Sequence, residues 1–268
     1  MQSAEAQRLL KRERWLPKGF EAPDECDELR QLVVKADRLR QAQVGGEAYL
    51  SPVCTEEEPC QSGLCPTCVR TARADLLKAF WDENFFNAQW LFVTVFVKGW
   101  TLPPGKYQSF RQLRKPREIE NLLQVIRRMG KSDVIIIGCV ETVWKVVGNE
   151  PVGMPFHIHC LIHGLEKQVI EAAIRKAIDL DEKAPQPICI KEVKPSIKDM
   201  VRSLSYVFKQ PFWKTSQIAS ADRKKVRQRP KSREMAQLIQ AMGAHQVFDR
   251  VFSMGVRRYT RRWRRTLN

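Results

Sequence analysis

Histidine is scarce in this chain: four among 268 residues. Whatever histidine chemistry the protein performs is therefore confined to one or two places. Long apolar runs are missing as well. The longest, VIIIGCV at 134–140, falls far short of the roughly 20 residues that a spanning helix needs, so no transmembrane helix is expected. The opening MQSAEAQRLLKRERW is charged throughout and has no apolar h-region, which argues against an export signal. Acidic residues are also in deficit, with 30 Asp+Glu against 46 Lys+Arg, leaving a formal charge of +16. Eight cysteines without an export signal point to a reducing, cytoplasmic setting, and to metal binding or free thiols rather than disulfides.

What is present follows from that charge. So basic a protein usually meets a polyanion, most often nucleic acid, although a solvated basic surface is the plain alternative. Residues 1–50 read as an accessory region of two helices, at about 2–14 and from Asp24 to the Gly45-Gly46 stop. Residues 51–75 carry Cys54, Cys60, Cys65 and Cys68 among Pro and Gly. The CPTC pair is a tight knuckle, and four thiolates so close together suit a closed, structural zinc site with all four cysteines as ligands; four unrelated thiols are the alternative.

From residue 71 onward helical and strand-like patterns alternate. TARADLLKAFWDENFFNAQ predicts a helix and WLFVTVFVK (90–98) a strand. REIENLLQVIRRMG is an amphipathic helix stopped by Gly130. A strand over 132–146, a turn at GNEP and the strand PFHIHCLIH follow. Then come a helix (LEKQVIEAAIRKAIDL), a strand (187–193) and a last helix with Ser196 as N-cap and Asp199 three residues on. The order β-α-β-β-α-β-α predicts an α+β fold, a ferredoxin-like split βαβ antiparallel sheet with helices on one face. Residues 213–268 read as a basic helical tail. Its Arg257, Arg258, Arg261, Arg262 and Trp263 interleave guanidinium forks with an aromatic face, a composition that suits phosphates and unpaired bases.

Three of the histidines fall in FHIHCLIHG (156–164). On a strand His157, His159 and His163 share one face, and Phe156, Ile158, Cys160 and Ile162 share the other. His157 and His159 are then roughly 6.6 Å apart, near enough to converge on one ion, whereas His163 is about 13 Å beyond His159 and too far. If the hairpin turns about residue 150, Glu141 lies directly opposite His159. Two imidazoles and a carboxylate form an open site for Mg²⁺ or Mn²⁺ with a phosphate; polar side chains on an exposed sheet face are the alternative. On the last helix, Tyr206 falls off the apolar stripe of Ile197, Met200, Val201, Leu204, Val207 and Phe208, with Arg202 and Lys209 at i−4 and i+3. A phenol needs nearby cations and a metal-polarised target to attack a phosphodiester.

These residues resemble the HUH endonucleases. HIH at 157–159 is similar to their histidine–hydrophobic–histidine motif, WLFVTVFVK to their first conserved strand, and SYVFK at 205–209 to the motif in which the nucleophilic tyrosine precedes a lysine. The resemblance spans about 90–212, with the endonuclease domain expected over 76–212 and the tail over 213–268. It implies a metal-dependent nickase of single-stranded or hairpin origin DNA, with His157, His159 and Glu141 on Mg²⁺ or Mn²⁺, Tyr206 as nucleophile and Lys209 steadying the phosphate. Gln210 stands where two-tyrosine relatives carry their second tyrosine, which favours the single-tyrosine class. A rolling-circle plasmid initiator in a bacterial or archaeal cytoplasm, with a host replication helicase as further partner, is the expectation. A transposase or a non-enzymatic zinc-containing nucleic-acid-binding protein is the alternative.

Overall fold

The computed structural model describes residues 61, 66–82, 85, 88–103, 116–142, 144–147, 150–207, 214–217, 225–228, 247–259 and 262–265. The helices expected in 1–50, and Cys54, Cys60, Cys65, Lys209 and Arg261, lie outside the described residues. In chain order the elements are α1 (Pro66–Asp82), β1 (Trp90–Leu102), α2 (Arg117–Arg127), β2 (Ile135–Thr142), β3 (Trp144–Val147), β4 (Glu150–His163), α3 (Lys167–Ala177), β5 (Ile188–Val193) and α4 (Ile197–Val207). Five short strands follow: β6 (Lys214–Gln217), β7 (Lys225–Gln228), β8 (Val251–Met254), β9 (Val256–Tyr259) and β10 (Arg262–Arg265).

The centre is an α+β layer built on a five-stranded antiparallel sheet in the order β5-β1-β4-β2-β8. Alternation along β1 and β4 divides the core in two. Leu91, Val93, Val95, Phe156, Ile158, Cys160 and Ile162 turn to one face. There they meet Ile119, Leu122, Leu123 and Ile126 of α2 and Ile170, Ala173 and Ile174 of α3. The i, i+3, i+4, i+7 spacing of the α2 residues puts them on one stripe, and the helix stops where Gly130 takes φ +69.

The second face carries Trp90, Ile135, Ile137, Cys139 and Leu161. Against it pack α1, through Leu76, Leu77 and Phe80, and α4, through Met200, Val201 and Leu204. α4 starts with the capping arrangement expected from its sequence: the Asp199 backbone N–H donates to Ser196 Oγ at 3.1 Å, and the Ser196 hydroxyl donates to Asp199 Oδ2 at 2.7 Å. Helices thus cover both faces, because α1 and α4 supplement the pair on the first.

Three expectations need correction. The strand foreseen over 132–146 is two, β2 and β3, with β3 pairing in parallel with β6, which pairs in turn with β7. The helix foreseen from residue 71 begins at Pro66, so Cys68 sits in its first turn; proline suits that position because its missing N–H has no intrahelical partner there. The secondary-structure elements described within 213–268 are strands, where helix was expected. β8 joins the central sheet beside β2, with Phe252 and Met254 buried in the α2–α3 core. Its VFSM alternation is short, and the dense arginines around it hide the period-two pattern. Among the described residues no helix is long and apolar enough to cross a membrane.

Candidate metal centre

β4 holds both histidines on its second face, as period-two geometry requires. His157 and His159 are each 8 % exposed and Glu141 only 4 %. In the register of β2 against β4, Glu141 stands opposite His157, and Cys139 stands opposite His159. The expected partner of Glu141 was His159, two residues further along. The difference comes from the hairpin, which closes between Val147 and Glu150 and so turns earlier than residue 150; that displaces the register past His157 to Phe156, and a bulge brings it back by one residue. A shift of two residues leaves every side chain on its own face, so Glu141 still meets the histidines.

The face is nevertheless held by a narrow device. Near the turn Val146 pairs with Pro151, but Lys145 pairs with Gly153, so Val152 is an extra residue on β4. Such a bulge advances the register by one. Without it Glu141 would stand opposite Phe156 and turn to the face packed by α2 and α3. Gly153 adopts φ +140, and a Cβ there would come within 2.6 Å of the Leu102 carbonyl oxygen. Only glycine fits both requirements.

The three ligand-type side chains converge. Glu141 Oε2 lies 2.7 Å from His159 Nε2 and 3.4 Å from His157 Nε2. The two imidazoles meet edge to face at 4.5 Å between centroids. One ligand atom from each of the three residues falls within 4.8 Å of the others, so Glu141, His157 and His159 could hold a metal ion. Ligands about 2.1 Å from a common ion, at right angles, stand about 3 Å apart, close to the two distances seen. All three residues are buried, so a divalent cation would offset a carboxylate that is otherwise costly to desolvate.

β1 supplies the surrounding support. Thr94 pairs with His159 across the strands, and its Oγ1 lies 2.9 Å from His159 Nδ1. A hydroxyl both donates and accepts, so Thr94 serves either histidine tautomer. With His159 Nε2–H donating to Glu141, the Thr94 hydroxyl donates to Nδ1. With Nε2 on an ion, Nδ1–H donates to Thr94. Phe92 lies 5.3 Å from the His159 ring, and Phe96 stacks on His157 at 5.3 Å. His157 Nδ1 is buried with no hydrogen-bond partner.

Thr94 is a functional candidate that the sequence reading missed, and Arg250 is another. Arg250 is 7 % exposed, and its carbonyl accepts the N–H of Val140, the neighbour of Glu141. Burial holds its guanidinium below the ordinary arginine range, while Cys139 and Glu141 pull it back up. A buried cation thus enters the neighbourhood of Glu141 from a segment whose composition alone reads as tail.

The remaining expected site residues are placed as follows. His163 is not with the pair: its Nδ1 bonds the Gln89 carbonyl at 2.8 Å, and its ring lies 5.2 Å from Trp90. It lines a separate cleft of about 580 Å³ with Lys131 and Lys167. Tyr206 belongs to α4, on the histidine side of the sheet by that helix's packing. Arg202 is exposed on the same helix. Cys68 is buried in α1. Arg257 and Arg258 are in β9, and Arg262 and Trp263 in β10.

No family model, curated protein or solved structure matches the chain. The functional reading therefore rests on the site itself.

Proposed function

We propose that this protein is a metal-dependent nickase of the HUH kind that opens single-stranded or hairpin DNA at a replication origin. The observation that carries the reading is the convergence of Glu141, His157 and His159 on the sheet face against which α4, the helix containing Tyr206, packs. The element order and the strand order β5-β1-β4-β2 support the ferredoxin-like arrangement that this class requires. The net charge of +16 supports a polyanionic substrate.

Glu141, His157 and His159 would hold Mg²⁺ or Mn²⁺, which when bound polarises a phosphoryl oxygen of the scissile phosphate. Thr94 fixes the ring of His159, and Phe92 and Phe96 keep both imidazoles in place. The Tyr206 oxygen attacks phosphorus and gives up its proton to solvent. The P–O3′ bond breaks, the 3′ oxygen takes a proton, and the 5′ phosphate remains on tyrosine. The free 3′-OH can prime synthesis or, by the reverse step, rejoin a strand. Lys209, three residues on in sequence, and Arg202 supply positive charge for the phosphate. A structural Zn²⁺ on Cys54, Cys60, Cys65 and Cys68 completes the reading, with about one zinc per chain expected.

The test is incubation of the protein with single-stranded origin DNA labelled at its 3′ end and Mn²⁺, followed by boiling in detergent. A labelled covalent adduct is expected, absent in Tyr206→Phe and strongly reduced in His159→Ala. An adduct that survives Tyr206→Phe sinks the nucleophile assignment. No adduct under any divalent metal sinks the nickase reading.

A further inference from the structure

Arg250 is a cation in a place that disfavours cations. It is the last residue of the turn 247–250, which leads into β8. The turn is tied at both ends. The Val247 N–H donates to the Gln61 carbonyl at 2.9 Å, and the Val251 N–H donates to the Phe248 carbonyl at 3.1 Å. Val251 then stands opposite Cys139 on β2, and the Val140 N–H donates to the Arg250 carbonyl at 3.0 Å. Arg250 therefore enters the sheet one residue away from Glu141.

The side chain is 7 % exposed, and its Nε is buried with no hydrogen-bond partner. A buried guanidinium kept for architecture is ordinarily gripped through its fork by a carboxylate, because desolvating it unpaired is costly. Arg250 leaves part of that fork unused. Burial lowers its pKa, and the groups that oppose this are Cys139 and Glu141, of which Glu141 is the carboxylate. The guanidinium stays protonated, since arginine does not lose its proton in proteins. Its charge therefore acts on the same carboxylate that meets His157 and His159.

Glu141 carries one negative charge and Arg250 one positive, and imidazoles that offer lone pairs are neutral. Without an ion the group is balanced. A divalent cation on Glu141, His157 and His159 leaves two positive charges in excess. All three ligand-type residues and Arg250 are buried, so little water is there to screen that excess. Repulsion between Arg250 and the ion is then strong. An anion beside the ion relieves it. A phosphodiester brings one negative charge and lowers the excess from two to one.

We propose that Arg250 is the counter-charge of the metal centre: it loosens the hold on a lone divalent cation and makes firm binding depend on a phosphodiester beside the ion. The device rests on the reading above that the centre takes a phosphodiester, but not on any role of Tyr206. Arg250 acts on the ion through the field at Glu141, without touching ion or phosphate. The ion and the strand enter together, and the ion is released when the strand leaves.

The test uses the full-length chain at constant ionic strength and mildly alkaline pH, where protons do not compete for the ligands. Free Mn²⁺ is read by its electron paramagnetic resonance signal, with and without a short oligothymidylate. The His157→Ala/His159→Ala chain gives the Mn²⁺ held by the oligonucleotide and by other parts of the protein. In wild type the oligonucleotide is expected to tighten Mn²⁺ binding about tenfold or more. Arg250→Met is expected to bind Mn²⁺ alone roughly tenfold or more tighter than wild type. The further tightening by the oligonucleotide should shrink at least about threefold in that variant. Arg250→Gln should do the same. Phe252→Leu disturbs the packing of β8 and leaves the charge in place, so Mn²⁺ binding should be unchanged or weaker. The direction of change separates the two causes: structural damage loosens the ion, and lost charge tightens it. Unchanged or weaker Mn²⁺ binding in both Arg250 variants overturns the proposal. So does equal tightening in Phe252→Leu, or wild-type binding that the oligonucleotide leaves unmoved. An apolar side chain of similar size in place of a buried charge is often neutral for stability, so loss of fold in both Arg250 variants overturns it as well. If the Arg250 variants behave as expected while no covalent adduct forms with origin DNA, the nickase reading falls and the counter-charge stands. Adduct formation with Mn²⁺ binding unmoved by the Arg250 variants sinks the counter-charge alone.

Discussion

Glu141 stands across the β2–β4 pair from His157, yet its Oε2 lies closer to His159 Nε2, at 2.7 Å, than to His157 Nε2, at 3.4 Å. One carboxylate therefore serves two imidazoles that are neighbours on one face of a single strand. The arrangement depends on Glu141 facing the same way as both, and that depends on a one-residue bulge several positions away.

Gly153→Ala tests that dependence. Alanine at φ +140 is strained, and its Cβ meets the Leu102 carbonyl oxygen. A strained backbone position costs about 1–3 kcal/mol. The expected result is a lower urea midpoint at constant m, together with weakened Mn²⁺ binding, because relief of the strain by closing the bulge would turn Glu141 toward Phe156. Wild-type stability with wild-type Mn²⁺ affinity would show that the bulge does not set the face.

Glu141→Gln keeps the shape and removes the charge. A neutral amide is a poor ligand for a hard cation, so Mn²⁺ affinity should fall by more than the roughly 10- to 100-fold that outer partners are worth. Isothermal titration of the metal alone reads this directly, without DNA. Affinity within twofold of wild type would mean that the ion, if bound, does not use this carboxylate.

Thr94→Val removes the hydroxyl partner of His159 Nδ1 in a residue of nearly the same shape and a better strand former. Mn²⁺ affinity is expected to fall about 10- to 100-fold with little change in thermal midpoint, and Thr94→Ser should restore most of it. A loss in Val that Ser does not recover would point to packing rather than to the hydrogen bond.

Much of this architecture was legible because it rests on short periods. The alternation of Phe156, Ile158, Cys160 and Ile162 with the histidines marks the two faces of β4, and Ile119, Leu122, Leu123 and Ile126 mark α2. What was not legible has physical reasons. Register depends on a bulge at Val152–Gly153, which leaves no trace in the alternation beyond one glycine. Thr94 is an ordinary strand former, and only the pairing of β1 with β4 gives it a histidine. Arg250 is one among 46 basic residues, and its burial follows from β8 entering the sheet, which four residues inside a basic segment did not announce.

Phe252→Ala tests that entry. Phe252 pairs with Gly138 across β2–β8 and is buried in the α2–α3 core. Truncating a buried phenylalanine costs about 3–5 kcal/mol. The urea midpoint of the whole domain should move accordingly, in one transition. A free-standing tail would leave the midpoint where it was.

Metal binding should also couple stability to pH with a definite sign. An ion held by Glu141, His157 and His159 binds the folded chain and stabilises it by mass action, by about 2.7 kcal/mol at one hundred times Kd. Protons compete for the same imidazole lone pairs and carboxylate oxygens, so metal affinity falls as pH falls. The rise in thermal midpoint produced by Mn²⁺ is therefore expected to be full at neutral and mildly alkaline pH and to vanish on acidification. The metal-free protein serves as the reference at each pH, which removes every titration that the ion does not touch. In the doubly substituted His157→Ala/His159→Ala chain the Mn²⁺ increment should be absent throughout. An increment that persists in that variant, or that grows as pH falls, would place the ion elsewhere in the molecule.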